Sequence, residues 1–304
     1  MSRVVRFASF GSPEVLEVVE EELGEPGLGE VRVRMRAAGL NPVDSKIRRG
    51  GDAYPTILPS GLGRELAGTV ESTGPGVQTL AAGDEVFGTI PGGALADSVI
   101  AAESFFAFKP AALPWDVAGG LALAGQTAWD ALASQKLQAG DTIVVSASAG
   151  GVGSILSQLA HREGIRVIGS ASSRNHGWLR SRGIEPVEYG DGFVATVRDL
   201  APDGITAAFD LAGGDTVRQF IELGVPRDRI NTNAMGADTP EGVQRVGRGP
   251  TSLATLATLA AIVIDGAVEV PIAASFSLDE IQAAFTFLDT GHLRGKVIVR
   301  GRDD

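Results

Sequence analysis

The sequence predicts an α/β protein in which a doubly wound parallel sheet is carried inside a β-rich domain. Three features point there. A unit of strand, glycine-rich turn, helix and second strand runs from Asp141 to His176. Ahead of it, residues 3 to 36 alternate in short apolar runs broken by Gly and Pro. After it, strand and helix patterns keep alternating until Val268 to Ile272 leads back to the first domain and Lys296 to Arg300 forms a closing strand.

In the central unit, Thr142 to Ser146 is an apolar, β-branched run of strand length that stops at Ala147-Ser148-Ala149-Gly150-Gly151-Val152-Gly153. Ile155, Leu156, Leu159 and Ala160 then recur with helical spacing, and Arg166 to Gly169 is a second strand run. Glycine, lacking a Cβ, lets the backbone bend tightly and approach a pyrophosphate, whose charge meets the amides of the following helix. Ala147, Ala149, Gly150, Gly151, Val152 and Gly153 are the candidate contacts. Small residues at such a turn also simply let a helix pack on a strand. The setting between two strands of one βαβ-length unit favours the dinucleotide reading, a Rossmann domain.

About twenty residues past the first turn glycine, an NAD site places an acid for the ribose hydroxyls. Here stands Ser170, and no acid occurs from Arg166 to Ile184. Ser172, Ser173, Arg174 and Asn175 offer hydroxyls, an amide and a fixed positive charge, groups suited to a 2′-phosphate. The pattern favours NADPH over NADH.

Composition bounds the rest. A chain of 304 residues has room for about two domains. Apolar residues make up 44% and charged ones 21%, as in a soluble globular protein. Thirty-seven acids against 26 bases give a net charge of −11, which opposes non-specific binding to nucleic acid or anionic membrane. No signal-peptide core opens the chain, and the apolar helix around Leu253 to Ile264 is too short for a bilayer, so a cytoplasmic protein is expected. The absence of cysteine excludes disulfides, thiolate metal sites and a thiol nucleophile.

The first third reads as a small barrel or sandwich: VVRFA, VLEVVE and VRVRMRA, with turns such as Glu25-Pro26-Gly27. It continues with AAGLNPVDSKIRRG (37 to 50), YPTILPSGLGRELAGTVESTGPGV (54 to 77) and GDEVFG (83 to 88). These phrases, with FKPAALPWDVAGGLALAGQTAWDAL (108 to 132), the AxxGGVG turn (147 to 153) and GHLRGKVIV, resemble in order and spacing the zinc-independent medium-chain dehydrogenases/reductases, the quinone oxidoreductase and ζ-crystallin group. The resemblance implies a GroES-like β-barrel catalytic domain, residues 1–113 and 271–304, with the Rossmann domain, residues 114–270, inserted.

Residue chemistry bears on zinc separately. Catalytic zinc needs about three protein ligands, and the histidines, His161, His176 and His292, all lie outside residues 1–113. Where zinc-dependent relatives carry a ligand cysteine this chain has Asn41-Pro42-Val43-Asp44, and where they carry Gly-His-Glu it has Gly63-Arg64-Glu65. No metal is expected. Asp44 and Arg64 are expected to form a structural ion pair.

The resemblance places Asn41, Tyr54 and Thr127 around the nicotinamide and substrate. Each has a plainer reading: Asn41 as a turn former, Tyr54 as a loop aromatic, Thr127 as the cap of a helix starting near Ala128. It also implies that Tyr189 contacts the adenosine side, that the turn Leu211 to Gly214 faces the nicotinamide half, and that Lys296 belongs to the cofactor set.

Further strands are expected at Pro186 to Tyr189, Ala207 to Leu211 and Arg229 to Ala234, and helices at Phe193 to Leu200 and Thr216 to Leu223. Residues 237 to 250 read as a polar loop. Leu253, Leu256, Leu259, Ala260 and Val263 mark a buried helix, and Ser277 with Glu280 a capping box. The resulting expectation is an NADPH-dependent reductase of quinones or activated enones, homodimeric, with an enoyl reductase of thioesters or a non-enzymatic crystallin-like NADPH binder as rivals.

Overall fold

A computed structural model describes residues 1–233, 239–247, 249 and 251–302. Contacts divide the chain into two units. The first comprises Met1–Leu123, Thr251–Asp265 and Val270–Asp304, and the second Ala124–Pro250 and Gly266–Glu269. The expected junctions, after 113 and after 270, follow chain order, whereas contacts group Leu253–Ile264 and the residues up to Leu123 with the first unit.

The second unit is built on a six-stranded sheet, every pairing parallel. Its order is Glu185–Val187, Arg166–Ser170, Thr142–Val145, Ala207–Asp210, Ile230–Thr232, Gln244–Arg245. In chain order that is 3-2-1-4-5-6, the doubly wound order, with its switch point between Thr142–Val145 and Ala207–Asp210. Helices Gly151–Arg162, Phe193–Leu200 and Thr216–Glu222 connect the strands. Phe193, Val197, Phe220, Val144 and Ile168 share one core beneath them. Near-continuous burial of the first two strands reflects a sheet covered on both faces.

The structure corrects two expectations. Within the expected polar loop of 237 to 250, Gln244–Arg245 pairs with Asn231 and Thr232 as a sixth parallel strand, too short for periodicity to reveal. The fifth strand spans Ile230–Thr232, and Ala234, its expected end, lies outside the described residues.

The first unit is antiparallel for the most part. Glu30–Leu40 is its longest strand and pairs with Glu65–Thr73, Ser98–Ala102 and Lys296–Arg300. A smaller sheet joins Glu17–Glu21, Ser2–Phe7 and Ser60–Gly61. Val31, Val33, Met35, Leu66, Val86 and Phe285 sit in its core. Phe285 comes from the helix Ile281–Asp289, which follows the expected capping box: the Ser277 amide and hydroxyl both donate to Glu280 Oε2 at 2.8 Å. In Leu253–Ile264, Leu256, Leu259 and Ala260 are buried as expected, while Leu253 is exposed. Among the described residues no helix is long and apolar enough to cross a membrane.

Candidate active site

The turn after Thr142–Val145 delivers the chain into Gly151–Arg162, whose N-cap, Gly150, supplies no capping side chain. The first amides of that helix are therefore not spent on a cap. The path is tight. A Cβ on Gly153 would lie 2.2 Å from the Ala147 carbonyl oxygen, so only glycine fits where the helix folds back over the turn. Ala147 adopts φ +48, a left-handed conformation rare for alanine and of the kind held where geometry is over-determined. The Ser148 amide donates to Ser170 O at 2.9 Å, and its hydroxyl pairs with that of Ser157 at 2.6 Å. Turn, helix and second strand are thus fastened together, leaving Gly151 and Val152 half-exposed while Ala149 is buried. This cradle, open amides at a helix N-terminus with no Cβ in the way, fits the pyrophosphate of a dinucleotide.

At the end of the second strand, Ser170 is buried and Ser172 begins the single turn Ser173–Asn175. Asn175 is buried and donates to Ser172 Oγ at 3.3 Å, while a His176 ring nitrogen lies 3.1 Å from Ala171 O. These two side chains shape the loop. Ser173 and Arg174 stand exposed on it, and Tyr189, beyond the third strand, is 45% exposed.

The switch point holds a feature that pattern reading missed. Asp210 ends the fourth strand, 2% exposed, and its carboxylate gathers the following turn. Oδ1 accepts from the Ala212 amide (3.1 Å), the Gly213 amide (2.8 Å) and the Ser146 hydroxyl (3.3 Å), and Oδ2 from the Thr232 hydroxyl (2.7 Å). Ser146 Oγ in turn accepts the Leu211 amide at 2.8 Å. The signal available was an acid closing an apolar strand.

Thr127 does not cap a helix. It lies deep inside Trp115–Ser134, buried, and a Cβ on Gly247 would come within 2.9 Å of its methyl carbon. Tyr54 is half-buried, packed against the core of the first unit, with its carbonyl accepting the Thr56 hydroxyl.

Asn41, by contrast, is buried in a polar cluster. Its Nδ2 donates to Glu65 Oε1 (2.8 Å) and Gly39 O (3.3 Å), and its Oδ1 accepts from Lys296 Nζ (2.5 Å). Lys296 also donates to Glu65 Oε1 (2.8 Å) and Leu40 O (3.1 Å), so three acceptors use its three protons. Glu65 Oε2 accepts the Leu123 amide at 2.8 Å. The amide assigned to substrate or ribose, and the ammonium assigned to the cofactor, are spent inside the first unit. A lysine in a closing strand gave no sign that Glu65, in a run of apolar residues, would claim it.

Asp44 completes the cluster. Fully buried, it accepts the Asn41 amide through Oδ2 at 2.9 Å, while Oδ1 meets no donor. Burial, against the opposing pull of the Asn41 amide and the Lys296 charge, pushes its carboxyl up to about 6. The expected ion pair with Arg64 does not form: Arg64 acts on Asp44 only at longer range.

This donor set does not fit zinc. Asn41 is neutral, Arg64 is a cation, and both oxygens of Glu65 are occupied. Among the described residues no group of three or more His, Cys, Asp or Glu is placed to hold a metal ion.

Residues 27–111 match the alcohol dehydrogenase GroES-like domain, and residues 185–299 match a domain described as zinc-binding dehydrogenase. A quinone oxidoreductase of Pseudomonas aeruginosa is 37% identical over 248 residues, 79% of this chain and 76% of that protein. The chain belongs to the quinone-oxidoreductase family of medium-chain dehydrogenases/reductases. An Arabidopsis thaliana NADPH-dependent alkenal/one oxidoreductase is 32% identical over 96% of this chain and 78% of its own length. The crystal structure of Escherichia coli quinone oxidoreductase complexed with NADPH is similar at 25% identity and a TM-score of 0.88, covering 99% of this chain and 100% of that one. Within this family the expected architecture holds: a GroES-like domain and a Rossmann parallel sheet.

Proposed function

We propose that this protein reduces quinones or activated enones with NADPH, without a metal. The observation that carries the reading is its likeness, over three quarters of both chains, to a quinone oxidoreductase, on a fold whose second strand ends without an acid. Bound at the glycine turn, NADPH supplies the hydride. Amides of Gly151 to Gly153 bind its pyrophosphate, and Ser173 with Arg174 selects the 2′-phosphate. The turn held by Asp210 borders the nicotinamide half, and Tyr189 the adenosine.

Quinones and enones are electrophilic without Lewis-acid help, provided the oxygen that gains charge receives a hydrogen bond. Tyr54 donates it. A phenol, which ordinarily titrates at about 10, is a donor at neutral pH, and solvent restores its proton. Thr127 lines the pocket. Asn41 and Lys296 act from behind, fixing the strand ends that carry the site. The working form is a cytoplasmic homodimer.

The experiment is NADPH oxidation against p-benzoquinone, simple enones and an enoyl thioester, with NADH in parallel and with a chelator present. Turnover of a quinone or enone, faster with NADPH and indifferent to chelation, is expected. No oxidation with any acceptor would sink the reading, and loss on chelation restored by zinc would sink its metal-free half.

A further inference from the structure

We propose that Arg64 selects substrates that carry a carboxylate, receiving that anion on its guanidinium. The inference rests on the reductase reading above. Among the described residues, five arginines bury Nε without an acceptor: Arg32, Arg36, Arg48, Arg64 and Arg182. The others use their remaining nitrogens. Arg32 reaches Gly24 O and Glu25, Arg48 reaches Gly11 O and Asp289, Arg182 reaches Glu269, and Arg36 is engaged as well. Arg64 stands apart: among the described residues its side chain has no hydrogen-bond acceptor and no carboxylate within ion-pair distance.

Its backbone is held through its carbonyl and through both neighbouring residues. Gly63, at φ +90, approaches Leu95 so closely that a Cβ would lie 2.9 Å from the Leu95 nitrogen. Arg64 O accepts the Ile90 amide at 2.9 Å. Glu65 is anchored by Asn41, Lys296 and Leu123. The side chain is therefore presented by a rigid frame at the edge of a buried polar cluster, and it is half-buried itself. The buried Nε is a donor left without an acceptor, a cost that packing does not offset. A bound carboxylate offsets it, because the planar fork matches two carboxylate oxygens. The nearby acids do not serve: Glu65 is committed to Lys296, and Asp44 is sealed within the cluster.

The test compares β-acetylacrylic acid, an enone bearing a carboxylate, with its methyl ester, in the wild type and in Arg64→Gln and Arg64→Lys. Intrinsic reactivities cancel when the acid-to-ester ratio of kcat/KM is compared between proteins. The ratio is expected to fall at least ten-fold in Arg64→Gln, mainly through KM for the acid, and less in Arg64→Lys, which keeps the charge and loses the fork. An unchanged ratio, with the ester still turned over, overturns the role of Arg64 and leaves the reductase reading standing. Failure of the wild type to oxidise NADPH with either ester or quinone overturns both. Should the variants not fold, the wild type still decides: KM for the acid must rise with ionic strength while KM for the ester does not, and equal response of the two overturns the proposal.

Discussion

Lys296 Nζ lies 2.8 Å from Glu65 Oε1, and both side chains are sealed from solvent, at 3% and 0% exposure. Such a pair gains little over an apolar one but is expensive to break by halves, since the survivor is left as an uncompensated buried charge. Lys296→Met is therefore expected to destabilise the protein by about 3 to 5 kcal/mol, and Glu65→Gln to do similar damage. Urea unfolding of the single and double variants measures the coupling. A Lys296→Met protein that keeps its stability and loses only NADPH affinity would return Lys296 to the cofactor.

Asp44 gives the fold a pH dependence of unusual sign. Its carboxyl is raised from 3.8 to about 6 by burial, with Glu65 adding to the rise and the Asn41 amide, Lys296 and Arg64 opposing it. The native state thus binds more protons than the unfolded chain between those values, and stability from this group is present below about 4 and lost as pH rises through 6. The loss is on the order of 1 to 3 kcal/mol. Asp44→Asn removes the slope and keeps an acceptor for the Asn41 amide. Denaturant midpoints of wild type and variant, taken at roughly pH 3.5 and roughly pH 7.5 on either side of that window, should converge or cross as pH rises. Parallel profiles would count against the assignment.

The proposed choice of cofactor rests on Arg174. If Arg174 holds the 2′-phosphate as proposed, Arg174→Ala removes a charge-assisted contact worth about 1.5 to 3 kcal/mol, and NADPH binding is expected to weaken while NADH binding barely changes. Fluorescence titration with both cofactors measures this. Equal losses for both would move the assignment elsewhere on the loop.

For Tyr54, the expected effect is on the chemical step. Tyr54→Phe lowers kcat and kcat/KM together with cofactor affinity preserved, and the loss is larger for enones, whose enolate is more basic than a hydroquinone anion. Unchanged turnover of both classes would leave a site that works by positioning alone.

What the sequence revealed divides along a physical line. The strand-turn-helix at 142–162 was legible because apolar periodicity and glycine spacing are local properties of the chain. So was the Ser277 and Glu280 capping box, whose two partners are three residues apart. The cluster of Asn41, Glu65 and Lys296 was not, since its members are separated by up to 255 residues and meet only through strand pairing. Gln244–Arg245 escaped for another reason, as two residues carry no period. Thr127 is deceptive because a threonine before an apolar run resembles a cap, while the helix has already begun at Trp115.

The Asp210 carboxylate has a bearing on how this protein can diversify. The path of residues 211 to 213 is drawn by the Asp210 carboxyl group anchored in the strand beneath, with hydroxyls of Ser146 and Thr232 as braces. The side chains of Leu211 and Ala212 contribute nothing to those bonds, since only their amides take part. Substitution of these two side chains leaves those bonds in place, so the surface of the turn can change by single steps while its course stays fixed.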